Sequence, residues 1–176
     1  MDFKALMITK KYVNCYIERQ NGDILLLERA LHHKIGPGKV AGVGGKVEPG
    51  ESVHDAVIRE VKEEAGITGL SQIRLRCILR WQNVDDHDML AFVFTAHTAS
   101  EPVSYAPGEG RLFWCRKGDI VKHNVFPDIP LYIVKMWKSQ SMLFGRFAYD
   151  GCDKISECNV GSVENILGYA EPLAYF

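Results

Sequence analysis

The stretch GGKVEPGESVHDAVIREVKEEAGI, residues 44–67, limits what this chain can fold into more than any other. Its second half has helical periodicity, yet Glu60, Glu63 and Glu64 crowd together there, and like charges at i,i+4 oppose a helix. At about 100° per residue, Val53, Val57, Val61, Ala65 and Ile58 share one broad face, which reads as the core side. Lys62 and Asp55 point away from it. Glu60 falls at its edge and Glu63 just beyond, while Glu64 projects between Val53 and Val57, into the apolar face. An unpaired carboxylate buried there costs several kcal/mol or takes up a proton. A charged, solvated helix face does not account for an acid on the inner side.

A bound cation does. Hard divalent ions such as Mg2+ take oxygen ligands, and clustered carboxylates become favourable around them. Magnesium keeps few carboxylates and fills its remaining positions with water and substrate phosphate, so the cluster points to a phosphate-bearing substrate. The turn ahead of the helix agrees. Gly42, Gly44 and Gly45 let the backbone approach closely and leave carbonyls and amides free for a ligand. Glu51 is favoured by the positive end of the helix and lies within reach of Arg59. Helical geometry alone turns Arg59 away from the core, as a solvated residue.

The bulk properties set the frame. A chain of 176 residues suffices for one domain, and 47% hydrophobic with 24% charged residues is ordinary for a globular protein. A net charge of −1 gives no basic field for a long nucleic acid, but leaves room for a local site that binds a small anion. No apolar run approaches the roughly 20 residues of a membrane span, and MDFKALMITKKY has no signal-peptide core. The expectation is a cytoplasmic protein with no membrane partner, a monomer or homodimer. Cys15, Cys77, Cys115, Cys152 and Cys158 are scattered without a CxxC pair and read as reduced thiols.

Along the chain, residues 5–18 read as one strand, or as two joined by the Lys10-Lys11 step, and Asn21-Gly22 as a two-residue hairpin turn into a buried strand, DILLLERA. Residues 52–65 read as a helix stopped by Gly66. Strands follow at 73–81, 88–98, 111–117 and 143–150, with a helix opened by Pro130 between the last two. Residues after Gly151 show no clear pattern. Strands interleaved with helices give an α+β class with a mixed sheet.

Gly45, five residues, Glu51, seven residues, Arg59-Glu60-Val61, one residue, Glu63-Glu64, one residue, Gly66-Ile67: this series satisfies every fixed position of the signature of the Nudix hydrolases. The resemblance implies the Nudix fold, a mixed β-sheet sandwiched between α-helices, over residues 1–151, with 152–176 as a C-terminal extension packed on the same domain. It implies Mg2+-dependent cleavage of a nucleoside diphosphate linked to another group, with Mn2+ as a substitute ion. By the same resemblance Glu60, Glu63, Glu64 and the Gly45 carbonyl hold metal, and Arg59 pairs with Glu51. Either Glu60 or Glu63 serves as general base.

The rest of the chain resembles the MutT-type branch, which clears oxidised nucleotides. GEGRLFWC (108–115) is similar to the segment that carries a further acidic ligand there, making Glu109 the candidate. VFPDIPLYIVKMWKSQSMLFGRFAYDG (125–151) resembles the layout of oxidised-purine triphosphatases, which implies that Phe126 stacks on the base and Asp128 bonds its edge. Two positions depart from that pattern: Ile129 replaces a second Asp, and Ala41 replaces a base-contacting Asn. Arg29 and Lys46 are candidate phosphate contacts. His32 and His33 read as solvated loop residues, Trp114 and Trp137 as core. The resemblance thus implies a nucleoside triphosphate pyrophosphohydrolase acting on a small nucleotide such as 8-oxo-dGTP. The alternatives are another Nudix substrate (ADP-ribose, a dinucleoside polyphosphate, an RNA 5′ end) or a catalytically silent Nudix binding module.

Overall fold

Alternation along the first strand divides the molecule into two layers. In β1 (Ile8–Glu18), Val13, Cys15 and Ile17 enter one buried cluster while Tyr16 enters the other. Successive strand side chains point to opposite faces, so a sheet with apolar residues on both faces must be covered on both. The computed structural model describes residues 8–84, 87–103, 108–150 and 154–162. The remaining elements are β2 (Asp23–Arg29), the two-residue β3 (Val40–Ala41), α1 (Val53–Ala65), β4 (Leu70–Val84), β5 (His87–Thr98), β6 (Gly110–Arg116), a 3-10 turn (Lys117–Lys122), α2 (Ile129–Lys138), β7 (Leu143–Tyr149) and β8 (Ile155–Ser162).

The sheet runs β3-β2-β1-β5-β4-β7-β8, and β6 pairs with β2 beside that path. β1 with β5 and β4 with β7 are parallel, the other pairings antiparallel. α1 covers one face, where Val57 and Val61 pack with Cys15, Ile17 and Phe94. α2 covers the other, where Tyr132, Ile133 and Met136 pack with Tyr16, Leu79 and Phe147. Each such buried aliphatic side chain contributes about 1.5–3 kcal/mol. This is the expected α+β arrangement of a mixed sheet between helices. No helix among the described residues is long and apolar enough to cross a membrane.

The two helices are held by different means. Ser52 caps α1, its Oγ accepting from the Asp55 N–H at 3.1 Å. Gly66 ends it at φ +68° with its N–H on the Lys62 carbonyl. Asp128 stands at the start of α2 without a side-chain cap, and Pro130 follows in the first turn. Arg76 closes the far end from β4, donating to the Met136 and Ser139 carbonyls at 2.8 and 2.6 Å.

Four details differ from expectation. Ile58 is 38% exposed and does not join the core, because the buried arc of α1 is centred one step round, on Ala56, Val57, Glu60 and Val61. The turn between β1 and β2 is wider than two residues: Arg19 N–H bonds the Asp23 carbonyl and Gly22 N–H bonds the Arg19 carbonyl. β4 is longer than expected, and its register breaks beside Ser71, Leu75 and Trp81. Finally, the sheet continues past residue 151. β8 pairs antiparallel along β7, with Leu143 opposite Ser162 and Phe147 opposite Cys158. Its polar residues Ser156, Glu157 and Asn159 are exposed, which hid it from a reading based on apolar alternation. Residues 163–176 and Cys152 lie outside the described residues.

Candidate active site

The glycine loop runs alongside β1 as if it were one more strand. Cys15 and Val43 exchange backbone hydrogen bonds at 2.7 and 3.0 Å, and Val13 N–H donates to the Gly45 carbonyl at 2.9 Å. That carbonyl keeps a second lone pair for a ligand. The approach demands glycine: a Cβ on Gly44 would collide with the Val13 carbonyl, and one on Gly45 would meet Glu60 Oε1 at 2.5 Å. Glu60 therefore lies directly on the Gly45 backbone. Glu64, one turn on, accepts from the Gly44 N–H at 2.9 Å. Loop and helix meet through these two carboxylates.

Arg59 locks the seam from outside. Nε and Nη2 donate to the two oxygens of Glu51 at 2.8 and 3.0 Å, Nη2 also to the Lys46 carbonyl at 3.0 Å. Nη1 bridges Glu60 Oε1 at 2.9 Å and Glu63 Oε2 at 3.0 Å. Arg59 is thus not the free solvated residue that the helical wheel suggests. A bidentate Arg–carboxylate pair fixes both direction and distance. Glu51 is held below the usual carboxylate range by Arg59 and the Glu48 N–H. A surface depression of about 560 Å³ beside this clamp is lined by Glu51, Asp55, Ile58, Arg59, Lys62 and Glu63.

The inner side of the seam carries more negative charge than it can neutralise. Glu60 is the most buried of the cluster at 9% exposure, and burial raises its pKa against the pull of Arg59. Burial pushes Glu64 up to about 8, opposed by the Gly44 N–H and raised further by Glu60 and Glu109. The helical wheel singled out Glu64 alone; the structure buries Glu60 as well. Among the described residues no three acidic, histidine or cysteine side chains are already gathered around one ion position. The chemistry of the donors nonetheless fits a hard cation, with oxygen ligands and surplus negative charge at one seam. In this arrangement Arg59 Nη1 occupies one oxygen each of Glu60 and Glu63, which an ion held by both would have to displace.

The remaining candidates form a second group across the loop. Arg29, at the end of β2, faces Glu64 and Glu109, donates to the Ile35 carbonyl at 2.7 Å, and lies over the Phe126 ring at 5.0 Å. Gly36 packs on the edge of that ring so closely that a Cβ would clash. One face of Phe126 is therefore taken by Arg29 in this arrangement. Asp128 is 2% exposed and accepts from Trp81 Nε1 at 3.1 Å and from Tyr149. Burial pushes its pKa up to about 6. The direct base contact expected of it is thus closed off, because its oxygens are turned inward. Lys46 is exposed. His33 is not simply solvated: Nδ1 meets the Ile35 backbone and Nε2 lies 3.4 Å from Glu109. Trp137 packs edge-on to Tyr16, and Trp114 is half-buried with its indole N–H on Glu101.

Sequence reasoning missed Tyr12, Asn14 and Trp81. Tyr12 stacks near Trp81 at 6.4 Å, and the half-buried Asn14 lies two residues along the same face of β1. The period-two pattern KYVNCYIE held the signal, since Asn14 is polar between two tyrosines on the same face.

Comparison with known proteins bears on the same residues. The NUDIX domain profile matches residues 9–133. The chain is 30% identical over 144 residues to the uncharacterised Nudix hydrolase YvcI of Bacillus subtilis, covering 80% of this chain and 87% of that one. It is 28% identical over 165 residues to the oxidised purine nucleoside triphosphate hydrolase of Danio rerio, covering 91% and 100%. Among solved structures, the mutator MutT protein of Bacillus halodurans superposes with a TM-score of 0.74 at 25% identity, covering 86% of this chain and 97% of that one.

Proposed function

The chain belongs to the Nudix family and is a Nudix hydrolase, and from that premise we propose that it is a Mg2+-dependent nucleoside triphosphate pyrophosphohydrolase of the MutT type. Its substrates are oxidised purine nucleotides, 8-oxo-dGTP first among them, and its products are nucleoside monophosphate and pyrophosphate. Similarity to the Danio rerio enzyme along nearly the whole chain supports the substrate class. The observation that carries the reaction class is the burial of Glu60 and Glu64 against Gly45 and Gly44, with their charge only partly met.

The Gly45 carbonyl, Glu60, Glu63 and Glu64 would hold the divalent ion, with Glu109, just before β6, as a further oxygen ligand. When bound, the ion supplies the positive charge this seam lacks and stabilises charge developing on phosphate oxygens. Arg59 and Glu51 fix the loop against α1, so that the carboxylates keep their positions. Glu60 or Glu63 takes a proton from the attacking water. The water oxygen bonds to the β phosphorus, and the bond from that phosphorus to the α–β bridging oxygen breaks. The monophosphate leaves with that oxygen. Arg29 and Lys46 meet the phosphates, and Arg29, in moving to them, frees the Phe126 ring to stack on the base. Asp128 serves that subsite by holding the Trp81 indole.

A panel of nucleotides with Mg2+, assayed for pyrophosphate against phosphate release, tests this reading. Pyrophosphate released from 8-oxo-dGTP in preference to dGTP is expected. Turnover of ADP-ribose alone overturns it.

A further inference from the structure

Asn14 is a polar residue between Tyr12 and Tyr16 on the α2-facing side of β1. Its neighbours on that face are Tyr12, beside Trp81, and Tyr16, whose hydroxyl meets that of Tyr132 at 2.9 Å. Asn14 is half-buried, and its side-chain oxygen is buried with no hydrogen-bond partner among the described residues. A buried acceptor left unmet is costly, and native proteins keep few of them without a reason. The amide sits against Gly42, where a Cβ would collide with Oδ1. A Cβ at 42 would also meet the Cys15 carbonyl at 2.6 Å, so the loop requires glycine whatever stands at 14, while an apolar residue at 14 would pack without the cost of an unmet acceptor.

The position explains the amide. Trp81, which Tyr12 approaches, donates its indole N–H to Asp128, so Asn14 shares a sheet face with the residues expected around a base. Phe126 is covered by Arg29 and Asp128 is turned inward. Ala41, immediately before Gly42, is buried and has no polar side-chain group to offer.

We propose that Asn14 is a specificity-determining residue, its side-chain amide bonding the edge of the nucleobase from β1 and supplying the polar contact that Ala41 lacks. This rests on the nucleoside triphosphate reading above. A primary amide presents one acceptor beside one donor pair, and rotation about Cβ–Cγ exchanges them. It matches an edge with a ring N–H next to a carbonyl. Ordinary guanine has that pair only at N1 and C6 and shows acceptors alone at N7 and O6, whereas oxidised guanine carries a second one at N7 and C8, the edge by which the amide would discriminate. A site that hydrogen-bonds a substrate N–H rejects the analogue lacking it.

The test is the ratio of kcat/KM for 8-oxo-dGTP to that for dGTP, in the wild type and in Asn14→Leu, a variant of similar shape. The ratio is expected to fall about tenfold, the effect of one hydrogen bond of ordinary strength. An unchanged ratio in a variant that melts like the wild type overturns the proposal. Should Asn14→Leu fail to fold, wild-type protein with 15N-labelled asparagine decides. The Asn14 side-chain amide resonances are expected to shift with 8-oxo-dGMP and not with ribose 5-phosphate, and no shift overturns the proposal. A wild type that turns over no nucleoside triphosphate defeats the functional reading instead, and the resonance experiment then judges Asn14 by itself.

Discussion

The seam between the glycine loop and α1 and the layer beneath α2 solve opposite problems. At the seam, carboxylates are brought together and left with surplus charge; Arg59 serves Glu51, Glu60 and Glu63, while Glu64 has one backbone N–H. Beneath α2, the buried acid Asp128 has its carboxylate met by Trp81 and Tyr149. Both regions bury ionisable groups, yet only the first leaves them in need of a cation. Burial by itself is therefore no mark of chemistry here. Convergence of like charges is.

Breaking the seam has the largest expected effect. Glu64→Gln keeps the hydrogen bond to Gly44 and removes the charge, so turnover should fall by about a hundredfold or more while the fold survives. Millimolar Mg2+ should raise the melting temperature of the wild type and not of this variant. Unchanged turnover in Glu64→Gln would end the case for a metal at this seam.

The layer beneath α2 offers the next contrast, read as stability against pH. The Asp128 pKa is raised by burial from 3.8 to about 6. Between those values the unfolded chain has released the proton and the folded chain retains it, so stability is lost as pH rises through that window. Asp128→Asn should remove up to about 3 kcal/mol of that loss, measured by urea unfolding at the two ends of the window. A pH dependence identical to the wild type's would mean that Asp128 is better solvated than its 2% exposure indicates.

Arg59→Ala comes third in stability. Solvent screens the clamp, so about 1 kcal/mol is expected, with a larger loss of activity because loop and helix lose their alignment. Chemical denaturation and turnover measured together separate the two. The smallest effect belongs to Ile58→Lys, expected within about 0.5 kcal/mol of the wild type because this isoleucine is 38% exposed. A loss the size of a core substitution would restore Ile58 to the buried face of α1.

How much of this was readable beforehand follows from how far apart the partners lie in the chain. α1, its Ser52 and Gly66 ends, and the crowding of Glu60, Glu63 and Glu64 were legible, because helical geometry links residues only a few positions apart, whereas the pairing of Glu51 with Arg59 followed from the family resemblance. β8 was not, since its exposed polar residues carry no apolar alternation and only β7 gives it a place. The states of Phe126 and Asp128 were equally hidden, being decided by Arg29 from β2 and Trp81 from β4. Asn14 stood in plain view as a polar residue among Tyr12, Cys15 and Tyr16, but its meaning needed Gly42 set against it.

The sequence by itself determined the acidic seam: a glycine turn, a capped helix and three glutamates at spacings that one helix brings together. Local geometry suffices for that, because the helix repeat fixes where each side chain points. Only the tertiary structure decided which charges are buried, that Arg59 is a clamp, and what surrounds Phe126 and Asp128. Those outcomes depend on strands far apart in the chain meeting in one sheet, where desolvation and the few available partners set the state of each group.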